Sequence, residues 1–248
     1  LWSDKGAGKK IQVSLFETPY DEAGFIASSI KEKMKQGMQP KDFAILYRIN
    51  ALSRTAEMKL NDYQIPYKIV GGLAFWARSE IKDIIAYLAV VENPSNYLAC
   101  ERIINTPTRG IGEKTFIKIR DFARDSDLNI MDAIDVMIGN KSFPKKTMES
   151  IKEFNALIAA LNDLKQQEGT SIKDYIEYIL GNTGIIDFYK EDGSDKGDER
   201  IANIMELISA SEVFERESSE SSIQEFINFA TLQTTHDKDK NSNSVQLM

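Results

Sequence analysis

The chain has 248 residues, 42% hydrophobic and 28% charged, with 38 acids against 31 bases and a formal net charge of −7; this suits one large or two smaller globular domains and excludes a disordered tail. No run approaches the roughly 20 apolar residues that span a bilayer, and residues 1–30 lack the basic-then-apolar layout of a secretory leader, so a soluble cytoplasmic protein with no membrane partner is expected. One cysteine, Cys100, and one histidine, His236, exclude an internal disulfide, a multi-histidine metal site and a Ser-His or Cys-His relay.

The chain opens at Leu1-Trp2 and stops on the apolar run Ser244-Val245-Gln246-Leu247-Met248, which reads as a strand entering a core; a piece of a longer protein is therefore expected. The first 75 residues alternate strand and helix signals. Residues 11–16 read as a strand, and Thr18-Pro19 then supplies an N-cap and an N1 proline, with Asp21 at the capping-box position. Ala23, Ile26, Ala27, Ile30 and Met34 follow at helical spacing, and Gly37 stands where a C′ glycine would. Residues 43–47 form a continuous apolar run, expected of a strand covered on both faces. A helix over about residues 53–63 leads to a strand at 67–70 and to Gly71-Gly72. This βαβαβ order predicts a parallel α/β sheet.

Beyond Gly72 the strand signals nearly vanish. Ile81, Ile84, Ile85 and Leu88 mark one helix; Phe116, Ile119 and Phe122 a second; Met148, Ile151, Phe154, Ile158 and Leu161 a long third; Ile201, Ile204, Leu207 and Ile208 a fourth. Turns are expected at Pro94, Pro107, Gly110, Gly112, Pro144, Gly169, Gly181 and Gly184, giving a compact helical unit. Charge is uneven along it: residues 102–124 hold six bases against two acids, and residues 191–220 ten acids against three bases. The acidic total therefore does not oppose a nucleic-acid partner bound elsewhere. The polar stretches 218–222 and 234–244, the second containing His236, read as loops, and the second as a hinge.

Three segments could carry chemistry. In Thr108-Arg109-Gly110-Ile111-Gly112-Glu113-Lys114-Thr115 two glycines permit a tight helix-to-helix hairpin that aims the N–H groups of the next helix at an anion, with Lys114, Thr115 and Lys118 beside neighbouring phosphates and Ile111 as anchor. The same residues also suit a glycine C-cap and a solvated basic face. In Tyr47-Arg48-Ile49-Asn50, polar residues follow a strand at the end where open α/β sheets gather ligands, although Asn50 could equally cap a helix and Arg48 pair with an acid. Gly71-Gly72 follows a strand, but neither G-x-x-x-x-G-K-[ST] nor G-x-G-x-x-G is present; the charged residues Arg78, Glu80, Lys82 and Asp83 read as a helix start. Cys100, on an apolar face, reads as a core thiol.

Taken in order, Asp42-Phe43-Ala44-Ile45-Leu46-Tyr47-Arg48-Ile49-Asn50-Ala51-Leu52-Ser53-Arg54, Ile65-Pro66-Tyr67-Lys68-Ile69-Val70-Gly71-Gly72, Glu80-Ile81-Lys82-Asp83 and Asn105-Thr106-Pro107-Thr108-Arg109-Gly110-Ile111-Gly112 closely resemble the UvrD/PcrA/Rep helicases. The likeness is tight to about residue 125 and looser beyond. It implies an ATP- and Mg-using DNA helicase that moves 3′ to 5′ on single-stranded DNA and splits duplex, in repair or replication, built from two RecA-like motor domains with helical insertions. The implied fold is α/β plus all-α: residues 1–73 as the first part of RecA-like domain 2A, 74–242 as the helical 2B subdomain with a helix-hairpin-helix-like motif, and 243–248 as a strand re-entering 2A. The resemblance carries Arg48 and Asn50 over as single-stranded-DNA contacts, and Arg109, Gly110, Ile111, Gly112, Lys114, Thr115 and Lys118 as the duplex-binding hairpin. It also implies a missing 1A/1B motor, with no catalytic residue in this piece and no ATP hydrolysis by it alone. The motor part of a helicase-nuclease and a non-catalytic helix-hairpin-helix protein stand as alternatives.

Overall fold

The computed structural model describes residues 8, 10–48, 50–70, 73–191, 195–218, 221–236 and 243–248. The expected features at Leu1-Trp2, at Gly71-Gly72 and over residues 237–242 of the hinge lie outside the described residues. The chain divides into two compact units, one formed by residues 1–48, 52–70 and 241–248, the other by 49–51 and 71–240.

In the first unit, helix α1 (Pro19–Lys35) begins as its sequence predicts. Thr18 Oγ1 accepts the Asp21 N–H at 3.1 Å and donates to the Asp21 carboxylate at 2.6 Å, with Pro19 in the first turn. Gly37, at φ +101°, takes the left-handed conformation after its end and donates its N–H to the Met34 carbonyl at 3.0 Å. Strands β1 (Ala44–Ile45) and β2 (Tyr67–Ile69), separated by α2 (Ser53–Asp62), flank β3 (Val245–Leu247) in a parallel sheet of order β1-β3-β2, with Ala44 opposite Gln246 and Tyr67 opposite Val245. Ile45, Tyr67, Ile69, Val245 and Leu247 pack with Ala27, Ile30, Ala56, Leu60 and Ile65 from the helices and the β2 approach.

Two strand expectations are corrected. Residues 43–47 are not covered on both faces: Ala44, Leu46 and Lys68 alternate with the packed residues and stay exposed, Leu46 at 75%. The period-2 pleat buries only the odd-numbered side here. Residues 11–16 form no strand, and Ile11, Val13 and Leu15 are 93–99% exposed, because none of the described residues offers them a ladder.

The second unit is helical, with α3 (Ser79–Glu92), α4 (Tyr97–Ile103), α5 (Glu113–Asp125), α6 (Ile130–Gly139), α7 (Lys145–Lys165), α8 (Ile172–Thr183), α9 (Ile185–Lys190), α10 (Asp195–Glu217) and α11 (Ile223–His236). Helix α3 is its centre, packing on α4, α7, α8, α10 and α11. Ile81, Ile84, Tyr87, Leu88, Val90 and Val91 are all buried, so apolar residues cover more than one face of it, as expected of an enclosed helix. Polar side chains punctuate the connections: Asn96 caps α4, Asn129 caps α6, and Ser171 with Asp174 forms a reciprocal box on α8. A ring cluster of Trp76, Phe214, Phe226 and Phe229, with centroids 5.3 to 5.9 Å apart, joins α10 and α11 to the turn before α3.

Two loop expectations are also corrected. Gly181 lies inside α8 rather than at a turn, and residues 234–236 extend α11 instead of opening a loop. Gly197, inside α10, shows where glycine is needed for close approach, since a Cβ there would lie 2.5 Å from the Tyr189 carbonyl oxygen at the end of α9. A Cβ at Gly181 would meet nothing within 4 Å. Gly197→Ala is therefore expected to lower stability by about 1–3 kcal/mol through forced separation of α9 and α10, whereas Gly181→Ala should raise it by about 0.5–1 kcal/mol through reduced unfolded-state entropy. Denaturant unfolding followed by helical circular dichroism checks the opposite signs.

Candidate nucleic-acid interface

The segment between α4 and α5 folds into a hairpin held from inside. The Asn105 side-chain oxygen accepts two backbone N–H groups of the loop, from Arg109 at 2.8 Å and from Ile111 at 3.1 Å. Gly110 takes φ +75°, where a Cβ would be strained, and Ile111 is 1% exposed, anchoring the loop in the core. Gly112 is the extended N-cap of α5, its carbonyl accepting from Thr115 and Phe116. Among the described residues the N–H groups of Gly110, Gly112, Glu113 and Lys114 have no acceptor. Gly110, Gly112 and Lys114 are exposed and Thr115 is half-buried. An exposed start of a thirteen-residue helix, with N–H groups pointing outward and the positive end of the helix dipole behind them, is a site for an anion.

Arg109 and Lys118 sit differently from the phosphate contacts expected of them. The Arg109 guanidinium donates to the carbonyls of Ile103 (2.9 Å), Pro107 (3.3 Å) and Ile104 (3.4 Å) and to the Tyr87 hydroxyl (2.7 Å), and lies 5.6 Å from the Phe154 ring centre. It satisfies the carbonyls left over where α4 ends and thereby shapes the hairpin. Tyr87 passes the chain of bonds on, donating to the Thr106 carbonyl at 2.7 Å. The Lys118 ammonium donates to the Ser142 carbonyl at 2.7 Å and stands 5.2 Å from the Phe143 ring centre.

Arg48 and Asn50 belong to different units. Arg48 follows β1, is exposed, and lines an open cavity of about 230 Å³ with Leu46, Tyr47 and Thr55. This is the carboxyl end of a parallel strand, as the sequence predicts. Asn50 begins a short 3-10 turn and donates its side-chain amide to the carboxylate of Glu199 on α10.

Sequence reasoning missed a buried polar network at the start of α3. Arg78, Glu80, Asp83 and Asn203 are each under 9% exposed. Arg78 donates to Asn203 at 2.7 Å and Asn203 to Glu80 at 2.6 Å, while Asp83 accepts from Arg102 at 2.6 Å and from the Tyr189 hydroxyl. The spacing of Glu80 and Asp83 puts them on one helix face, a visible signal, but three of their partners lie on α4, α9 and α10 and carry none. Burial pushes the Tyr189 phenol well above its ordinary range, reinforced by the Asp83 carboxylate. The Tyr87 phenol is also raised by burial, against the opposing pull of Arg109. Burial raises the Cys100 thiol to about 12, consistent with an inert core residue. No group of three or more His, Cys, Asp or Glu suited to a metal occurs among the described residues, and no helix among them is long and apolar enough to cross a membrane.

Residues 1–248 match the family described as the UvrD-like helicase C-terminal domain. The chain is 33% identical over 254 residues to DNA helicase II of Escherichia coli K12, covering 100% of this chain and 35% of that protein. It is 32% identical over 231 residues to DNA helicase II of Haemophilus influenzae, covering 93% of this chain and 32% of that one. With ATP-dependent DNA helicase PcrA of Staphylococcus epidermidis it shares 32% identity over 250 residues, 100% of this chain and 34% of that protein. The chain thus spans about a third of the length of these curated relatives.

Asn105→Ala and Arg109→Ala should each destabilise the helical unit by about 1–3 kcal/mol, because each leaves backbone groups of the hairpin without partners. Lys114→Ala, at an exposed position, should leave the thermal midpoint unchanged. A second expectation follows from Tyr87 and Tyr189. Their folded pKa values exceed the ordinary 10.0, so the stability tied to their protonation is fully present below that pH and is lost as pH rises above it. In an alkaline spectrophotometric titration these two phenols should ionise only together with loss of helix.

Proposed function

The chain belongs to the UvrD-like helicase family, and from that premise we propose that it is the DNA-handling part of the second motor of an ATP-dependent 3′ to 5′ DNA helicase acting in repair or replication. In this reading the first unit is part of RecA-like domain 2A and the second is its inserted subdomain 2B. The hairpin at residues 105–112 and the first turn of α5 hold duplex DNA by its phosphates. The observation that carries the reading is the set of outward N–H groups at Gly110, Gly112, Glu113 and Lys114, with the Lys114 ammonium beside them. Contacts of this kind position a duplex without reading its bases.

The proposed roles differ along the hairpin. Gly110 and Gly112 let the backbone approach the phosphate, Thr115 and Lys114 extend the contact, Ile111 anchors the loop, and Arg109 and Lys118 act through the shape they impose. Arg48 and Asn50 are proposed to meet single-stranded DNA, Asn50 by exchanging the Glu199 carboxylate for the strand. ATP with Mg would supply the driving hydrolysis in the full-length protein, and the chain's own sequence contains no phosphate loop to hold it.

The test is anisotropy binding to a duplex with a 3′ single-stranded tail and to the tail alone, across a salt series. Tighter binding to the tailed duplex is expected, with log affinity falling linearly in log salt. Lys114→Ala should reduce the slope by about 0.9, one phosphate contact, at unchanged thermal stability. An unchanged slope in Lys114→Ala, or equal binding to both DNAs, would count against the hairpin as the duplex site.

A further inference from the structure

At the far end of α5 from the hairpin, about 16 Å along the helix at 1.5 Å per residue, lies an open cavity of about 390 Å³ that the DNA reading does not use. It is lined by Ser95 and Tyr97 at the start of α4, by Arg120, Ala123 and Arg124 on α5, and by Leu128, Asn129 and Ile130 at the entry to α6. Ala123 and Ile130 are buried, whereas Tyr97 and Arg124 are exposed, so the cavity has an apolar floor beneath an aromatic and cationic rim. Leu98, 63% exposed, continues the apolar surface beside Tyr97. No carboxylate lines the cavity, in a chain whose net charge is −7.

Both guanidiniums are held loosely. Arg120 bonds its neighbour Asp121 at 3.1 Å, and Arg124 bonds Asp125 at 3.0 Å, with 41% and 70% of the arginine side chains exposed. Solvent-screened pairs between adjacent residues are worth little and exchange readily for an incoming carboxylate. The floor selects the rest of the ligand. A nucleobase would bring polar edges into a space whose walls are Ala123, Leu128 and Ile130, and the Asn129 amide is already engaged with Asp132 in capping α6. Those edges would go unpaired at a cost that an aliphatic or aromatic side chain does not incur.

From this lining we propose that the cavity is a docking site for an acidic peptide segment of a partner protein, one that places a large apolar side chain on Ala123, Leu128 and Ile130 and its carboxylates on Arg120 and Arg124. The site is independent of the hairpin's role in DNA binding. The probe is a fluorescein-labelled peptide of four acidic residues followed by Leu-Phe, titrated by anisotropy with the 248-residue chain. Saturable binding is expected, weakened at least about tenfold by the double substitution Arg120→Ala and Arg124→Ala, and likewise when Leu-Phe in the peptide becomes Ala-Ala. Lys114→Ala should leave it unchanged. Arg124→Glu should reject the acidic peptide and bind one in which lysines replace the acids. The substituted side chains are exposed, and an unaltered helical circular dichroism melt confirms that each variant is folded. Absence of saturable binding, or equal affinity in the double variant, would overturn the proposal. So would a double variant that loses duplex affinity while keeping the peptide, since the two arginines would then belong to a DNA track.

Discussion

The sheet of the first unit is completed by a strand that arrives from the far end of the chain. β3 lies between β1 and β2 and bonds to both: Gln246 and Met248 donate to Phe43 and Ile45 on one side, and Val245 donates to Pro66 on the other, while Tyr47 and Val70 donate back to Met248 and Leu247. Without β3 the two remaining strands share no ladder, and Val245 and Leu247 are missing from the cluster around Ile30 and Leu60. Parallel strands need crossover connections, and here the connection between β2 and β3 contains the whole second unit. That unit therefore has to be stable on a core of its own.

It achieves this around α3, and the sequence of α3 explains the buried charges as well as the buried apolar residues. A helix enclosed by neighbours has no solvated face for polar residues, so Glu80 and Asp83 can remain only where hydrogen-bond donors converge. Arg78, Asn203, Arg102 and Tyr189 supply them from before α3 and from α10, α4 and α9. Removing one partner of such a set leaves a desolvated charge behind, which is far costlier than losing a surface pair. The network consequently fixes how α4, α9 and α10 meet the start of α3, while Ile81, Ile84, Tyr87 and Leu88 fill the space between the helices.

Local signals were legible in proportion to how local their causes are. Thr18-Pro19, Gly37 and the apolar spacing of α1 acted within one turn, and the glycines of the hairpin act through their own φ angles. Residues 11–16 carried a valid alternation, but alternation creates a strand only when a neighbouring ladder exists. Gly181 was misread because glycine marks turns on average, whereas α8 tolerates one at its exposed end. The same limit applied to the candidate site. The position of the hairpin could be read from Gly110-Ile111-Gly112, but the inward direction of Arg109 depends on Tyr87 and Phe154, and that of Lys118 on Ser142, contacts that no spacing rule reveals.

That difference changes how an acidic chain would hold DNA. Six bases over residues 102–124 invite the reading of a cationic patch, yet the fold commits most of them: Arg102 to Asp83, Arg109 to carbonyls, Lys118 to Ser142, and Arg120 and Arg124 to neighbouring aspartates. Lys114 is the base of that run with no partner among the described residues. Anion recognition at the hairpin then rests chiefly on backbone N–H groups and the dipole of α5, with Lys114 as its main mobile charge. Backbone donors fixed by Asn105, Ile111 and Arg109 lose little conformational entropy on binding, and they contact phosphate in the same way whatever bases it joins. A hairpin of this kind suits a protein that must hold duplex of any sequence, and it makes the residues that shape the loop as important as the one that carries its charge.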